Sequence, residues 1–154
     1  MKSSKKEINV VISEANETHC RQTEGSIAVT SEGRLLLAFT DFYDVKWVDM
    51  SPARIVGKWS DDEGESWTET FVLQENIGDL NVMCPSLLTL PSGRIILAFG
   101  RKDRRKFLSN PGGECAERGV MHLMAKYSDD QGVTWSEPKQ ITRENDDLII
   151  NRIC

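Results

Sequence analysis

Two short acidic stretches hold the residues whose types and spacing most directly suggest chemistry. Ser60-Asp61-Asp62-Glu63-Gly64-Glu65-Ser66-Trp67 and Ser128-Asp129-Asp130-Gln131-Gly132-Val133-Thr134-Trp135 share the pattern Ser-x-Asp-x-Gly-x-(Ser/Thr)-Trp. An aspartate followed two residues later by glycine can help hold a cation or accept backbone N–H groups across a turn. A calcium loop of the EF-hand type spreads its ligands over about twelve residues and ends on a bidentate glutamate, and Trp67 and Trp135 interrupt that pattern. The turn reading is therefore the expectation. Asp62 and Asp130 bond backbone N–H groups, Gly64 and Gly132 take the positive φ of the bend, and each tryptophan opens the next strand and buries against the neighbouring turn. Ser60, Asp62, Gly64 and Trp67, with Ser128, Asp130, Gly132 and Trp135, are structural candidates, and no metal is assigned to them.

The remaining metal and redox chemistry is sparse. Cys20, Cys84, Cys115 and Cys154 show no C-x-x-C spacing and no metal pattern with His19 and His122, so they read as ordinary thiols. No cofactor is expected. The chain has 154 residues, 39% apolar and 28% charged, with a net charge of −5. That is the composition of a soluble globular domain, and the negative charge argues against nucleic acid or an anionic membrane as partner. Any anion must meet a local basic patch. The apolar run at 8–12 is too short and too interrupted for a secretory signal, and no stretch approaches a membrane span. The expected location is cytoplasmic, or undefined if an export signal is missing, which leaves the Asn16-Glu17-Thr18 sequon idle.

The elements that position these residues repeat. Residues 25–39 align with residues 85–99 at an offset of 60, each an apolar strand, a polar turn ending in Gly-Arg, and a second apolar strand. This is a hairpin signal. The acidic patterns lie 68 residues apart, so the second repeat carries eight extra residues between Phe99 and Ser128, which are expected to form a loop. Four strands per repeat follow: 26–30, 35–40, 53–60 and 67–73, then 86–90, 95–100, 120–128 and 135–141. No stretch has a helical period. Four-stranded antiparallel sheets repeated along a chain imply a β-propeller. The expectation is an all-β protein of about two blades, at 25–73 and 85–141. An orphan strand at 8–13 would complete a last blade, and a third blade would begin at 142–154.

The Ser-x-Asp-x-Gly-x-Thr-Trp pattern resembles the Asp box of the sialidase superfamily, whose members form six-bladed propellers. Residues 52–56 and 80–83 also resemble bacterial exo-sialidase-like sequences, and the resemblance covers the chain from about Ile8 onward. Alternate connections of an antiparallel blade lie at opposite ends of the sheet. The boxes and the turns at 31–33 and 91–93 therefore share the back, and chemistry is expected in front. The front segments are 41–52, 101–119, 19–24, 81–84 and 151–153. They carry Arg21, the cluster Arg101, Lys102, Arg104, Arg105 and Lys106, and Arg152. A carboxylated sugar needs bidentate guanidinium partners of this kind.

The resemblance implies roles for individual residues. Arg21 matches the arginine before the first strand that clamps the substrate carboxylate, although the family's Arg-Ile-Pro context is absent. Asp49, 11 residues before Ser60, matches the acid/base aspartate, with Asp44 and Asp41 behind it. A proton donor to a glycosidic oxygen needs a raised pKa, and Trp47, Val48 and Met50 could supply the apolar setting. Arg101 and Arg152 are further substrate-contact candidates.

The family's nucleophilic tyrosine, its supporting glutamate and two more arginines come from later blades, and Tyr43 and Tyr127 do not match them. The resemblance thus implies the N-terminal part of an exo-sialidase-like hydrolase that removes terminal sialic acid, inactive as these residues alone. The alternative is a non-catalytic Asp-box propeller that binds glycan or protein. The expected partner is a sialylated or other acidic glycan.

Overall fold

The computed structural model describes residues 9–44, 48–108 and 115–143. These form eight strands and, among the described residues, no helix. The strands are β1 (Arg21–Val29), β2 (Leu35–Phe42), β3 (Ala53–Ser60), β4 (Phe71–Gln74), β5 (Asn81–Thr89), β6 (Ile95–Leu108), β7 (Cys115–Ser128) and β8 (Lys139–Gln140). They make two antiparallel sheets in sequence order, β1-β2-β3-β4 and β5-β6-β7-β8.

Burial explains the strand compositions. Strand β2, paired on both sides and covered on both faces, is buried from Leu36 to Phe42, and its sequence is correspondingly a nearly continuous apolar run. Its even-numbered residues face the second sheet. Leu36 and Ala38 join Ala28, Ile55 and Leu73 of the first sheet, and Val82, Leu87, Ile95, Leu97, Phe99 and Met124 of the second, in one core. A smaller cluster of Phe42, Ala53, Met83 and Met121 extends it towards one end.

The two repeats share a feature that the apolar pattern does not announce. Strands β1 and β5 each carry a register shift, between Thr23 and Ser26 and between Met83 and Ser86. Glu24 and Cys84, 60 positions apart, sit in these bulges at φ of 60° and 56°. The Glu24 carboxylate accepts hydrogen bonds from Thr40 Oγ1 at 2.7 Å and from the Cys84 backbone N–H at 2.9 Å. Leu87 N–H donates to Ser26 Oγ at 2.9 Å, and Thr89 Oγ1 to the Val29 carbonyl at 2.8 Å. The bulges therefore redirect a side chain and an N–H group into the seam between sheets.

Several boundaries differ from expectation. Strands β1 and β5 begin earlier, at Arg21 and Asn81. The fourth strands begin later, at Phe71 and Lys139, because Trp67 and Trp135 turn back to donate from Nε1 to the Gly64 and Gly132 carbonyls, each at 3.1 Å. The eight extra residues do not make a plain loop: β6 and β7 run on as a paired hairpin as far as Leu108 and Cys115. Residues 9–20 form no strand. Ile12 nonetheless packs on Leu37, Phe39 and Val56 of the first sheet's outer face, with Trp67. Asn16 Oδ1 accepts the Thr18 and His19 backbone N–H groups at 2.9 and 2.8 Å, closing a tight turn ahead of β1.

Candidate active site

The two acidic patterns fold alike, atom for atom. Ser60 Oγ accepts the Gly64 N–H at 2.8 Å, and Asp62 accepts the Ser66 N–H and Ser66 Oγ–H at 2.8 and 2.5 Å as well as the Ser60 hydroxyl at 2.8 Å. Ser128, Asp130, Gly132 and Thr134 repeat the network. The donors stabilise the charged carboxylates, with Ser66 and Thr134 contributing most, and hold both Asp62 and Asp130 down to about 2. These oxygens are already committed to protein donors. Glu63 and Gln131, at φ of 60° and 63°, share the left-handed bend with Gly64 and Gly132.

Both turns lie at one end of the sheets. Gln131 Oε1 accepts the Ser31 N–H of the β1–β2 turn at 3.0 Å. Arg34 pairs with Asp61 at 2.8 Å over the Trp59 ring, and Arg94 pairs with Asp129 at 2.7 Å over the Tyr127 ring. The Gly-Arg ends of the hairpins thus stitch the same end twice.

The opposite end brings together residues far apart in sequence. Arg21 opens β1 opposite Phe42, the last residue of β2, and its guanidinium lies over the Phe42 ring at 4.7 Å. Arg21 Nη1 donates to Asp49 Oδ1 at 2.6 Å. The two expected front-face residues are therefore in direct contact. The Asp49 side chain is 60% exposed, and Val48 and Met50 are themselves exposed, so these neighbours do not form the expected apolar enclosure. Trp47 and Arg152 lie outside the described residues.

The loop that carries Asp49 is held by the second sheet. Asn81, fully buried, donates from Nδ2 to the Asp49 and Ser51 carbonyls at 2.9 and 2.8 Å. Lys102 Nζ donates to the Asp49 carbonyl at 3.0 Å. Arg101 instead donates to Asp103 at 2.8 Å and to Gln140 at 3.3 Å. Alternation along β6 sends neighbouring side chains to opposite faces, and it is Lys102 that reaches the Asp49 loop.

Behind this pair sits a buried acid. Asp41 is 3% exposed and accepts from His19 Nδ1 at 2.8 Å and Arg54 Nε at 3.2 Å, with Gln22 Nε2 at 3.4 Å. The group lines a cleft of about 250 Å³ shared with Ser13, Asn16 and Thr70. Asp41 therefore serves as the anchor of a local charge network, and His19 closes it. One sequence signal exists for it: an acid inside the apolar run of β2 must be buried, and a buried carboxylate needs partners. Asn81 and Lys102 carry no such signal alone, because their partners are backbone carbonyls of another repeat.

No family model matches the chain, and no curated protein matches it. Among solved structures it is similar to a protein of unknown function from Dyadobacter fermentans DSM 18053, with 23% identity and a TM-score of 0.61 over 81% of this chain and 37% of that one. It is also similar to the Hadza microbial sialidase Hz136, with 17% identity and a TM-score of 0.60 over 80% of this chain and 26% of that one. The likeness is one of fold, and the chain spans well under half the length of either neighbour.

Proposed function

We propose that this chain supplies two consecutive blades of a six-bladed, sialidase-like β-propeller. Within that ring it contributes the acid/base and one carboxylate-clamping arginine of an exo-sialidase-type glycoside hydrolase. The observation that carries the reading is the Arg21–Asp49 pair, 2.6 Å apart and open to solvent, at the sheet end opposite the two stapled turns. A sialidase among the structural neighbours supports it.

The chemistry would divide between the two side chains. Arg21 donates to Asp49 at 2.6 Å, and a guanidinium is the side chain whose planar fork matches a sugar carboxylate. Asp49 beside it would deliver a proton to the departing glycosidic oxygen. The nucleophile and the remaining arginines would come from further blades. Tyr127 is packed beneath Arg94 at the far end, and Tyr43 lies under Arg54 at 5.4 Å.

A second reading rests on the exposure of Asp49. A carboxylate 60% open to water, without apolar cover from Val48 or Met50, suits a glycan-binding propeller that does no chemistry. Hydrolysis of a fluorogenic sialoside by the complete propeller containing this chain separates the two. Asp49→Ala is expected to cut kcat by about 10²- to 10⁴-fold, the usual range for a general acid, and Arg21→Ala chiefly to raise KM. A folded propeller that binds sialosides without cleaving them moves the assignment to the binding module. One that neither binds nor cleaves them ends both sialic acid readings.

A further inference from the structure

We infer that Asn81, assisted by Lys102, is a positioning residue for Asp49: the second blade sets the geometry of the first blade's acid/base loop. This rests on the reading of Asp49 as acid/base. Arg21 and Asn81 occupy equivalent places in the two repeats, each opening the first strand of its sheet opposite the last aligned positions of the second, Phe42 and Lys102. From these equivalent places they converge on one residue. Arg21 takes the Asp49 side chain, and Asn81 takes its backbone carbonyl and that of Ser51.

The geometry is costly if it serves stability alone. Both amide hydrogens of Asn81 go to loop carbonyls, which fixes the orientation of the amide. Among the described residues, its Oδ1 is buried without a hydrogen-bond partner, and so is Ser51 Oγ in that loop. A buried acceptor left unpaired destabilises a fold, and Asn81 carries that cost while its two amide hydrogens hold the loop. Asn81 itself cannot drift. The Leu80 N–H donates to the Lys102 carbonyl at 3.0 Å, and Asn76 Nδ2 to the Leu80 carbonyl at 3.0 Å. Gly78 lies so close that an added Cβ would stand 2.6 Å from the Lys102 carbonyl oxygen. These contacts fix the backbone beside Asn81, and the loop that Asn81 holds closes its own turn through the Ser51 N–H to the Val48 carbonyl at 2.9 Å.

The test is amide hydrogen exchange across residues 48–53 together with sialoside kinetics, in the complete propeller. Asn81→Asp keeps the shape and removes both donors. It is expected to speed exchange in 48–53 by about tenfold, the order for losing one or two hydrogen bonds, while amides of β2 and β6 keep their rates. It should also lower kcat by about a hundredfold, as for a catalytic group misplaced by about 1 Å, with KM nearly unchanged. Lys102→Met should shift both quantities the same way by less, and Lys102→Arg should restore them. Wild-type exchange in 48–53 for a folded variant overturns the inference. Faster exchange with unchanged kcat upholds the positioning of the loop and overturns the catalytic reading of Asp49 instead. If Asn81→Asp does not fold, the two Lys102 variants decide by the same criteria.

Discussion

At the residue scale, the same carboxylate chemistry takes two forms. Asp62 and Asp130 are held down to about 2 by the hydroxyl and N–H donors of their own turns, whereas Asp49 faces water and the Arg21 guanidinium. The first form has a consequence for acid stability. The folded-state values lie below that of an unfolded aspartate, about 3.9, so both groups contribute stability that is complete above about pH 4 and lost as the pH falls towards 2. Urea midpoints measured from pH 5 to pH 2 are expected to fall through that window. Asp62→Asn with Asp130→Asn should flatten the fall, and an unchanged slope in the double variant would rule out these carboxylates as its source. The Lys126 pKa is lowered too, but for the opposite reason, because its surroundings disfavour the charged form. Burial lowers its pKa while its Nζ contacts the Leu73 carbonyl and lies 5.5 Å from the centre of the Trp135 ring.

At the element scale, the seam between sheets depends on the paired bulges of β1 and β5. Glu24 supplies the acceptor for the Cys84 N–H and the Thr40 hydroxyl, and at φ of 60° it occupies a conformation costly for a residue with a side chain. Glu24→Ala is expected to cost about 1–3 kcal/mol, the penalty for removing a charged acceptor from part-buried donors, although the Cys84 N–H keeps Thr40 Oγ1 at 3.1 Å. Glu24→Gln, which retains a side-chain carbonyl, should recover most of it. Denaturant unfolding measures both, and equal losses would assign the effect to packing. The β6–β7 hairpin teaches a different lesson. Although residues 101–106 are all charged, β6 and β7 stay paired as far as Leu108 and Cys115, because backbone hydrogen bonds do not depend on side-chain polarity.

At the scale of the whole molecule, the lateral faces of the two sheets are incompletely covered. Ile27, Val29 and Val72 of the first sheet and Leu88 of the second are exposed, at 53%, 52%, 40% and 57%. In a ring such faces would pack against neighbouring blades, and by themselves they are association surfaces. The 154-residue chain is expected to self-associate with rising concentration in sedimentation experiments, and Ile27→Lys with Leu88→Lys to suppress it. A chain that stays monomeric at all concentrations would show these faces to be adequately solvated.

The all-β class, the two four-strand repeats and the stapled turns were legible in the sequence because they rest on local rules. Strand alternation, the left-handed bend at glycine and hydrogen bonds between residues two to four apart are written into short stretches such as 60–67 and 128–135. Arg21 and Asp49 could be singled out by resemblance and by the end of the sheet on which their segments had to fall. Their contact could not, because it joins positions 28 apart through the curvature of two strands and a loop. The bulges at Glu24 and Cys84, the identity of His19 and Arg54 as the partners of Asp41, and the grip of Asn81 and Lys102 on the Asp49 loop likewise needed the tertiary structure. Each satisfies a backbone or buried polar group with a partner from another strand or sheet, and hydrogen bonding between segments that meet only after folding leaves no periodic mark on the chain.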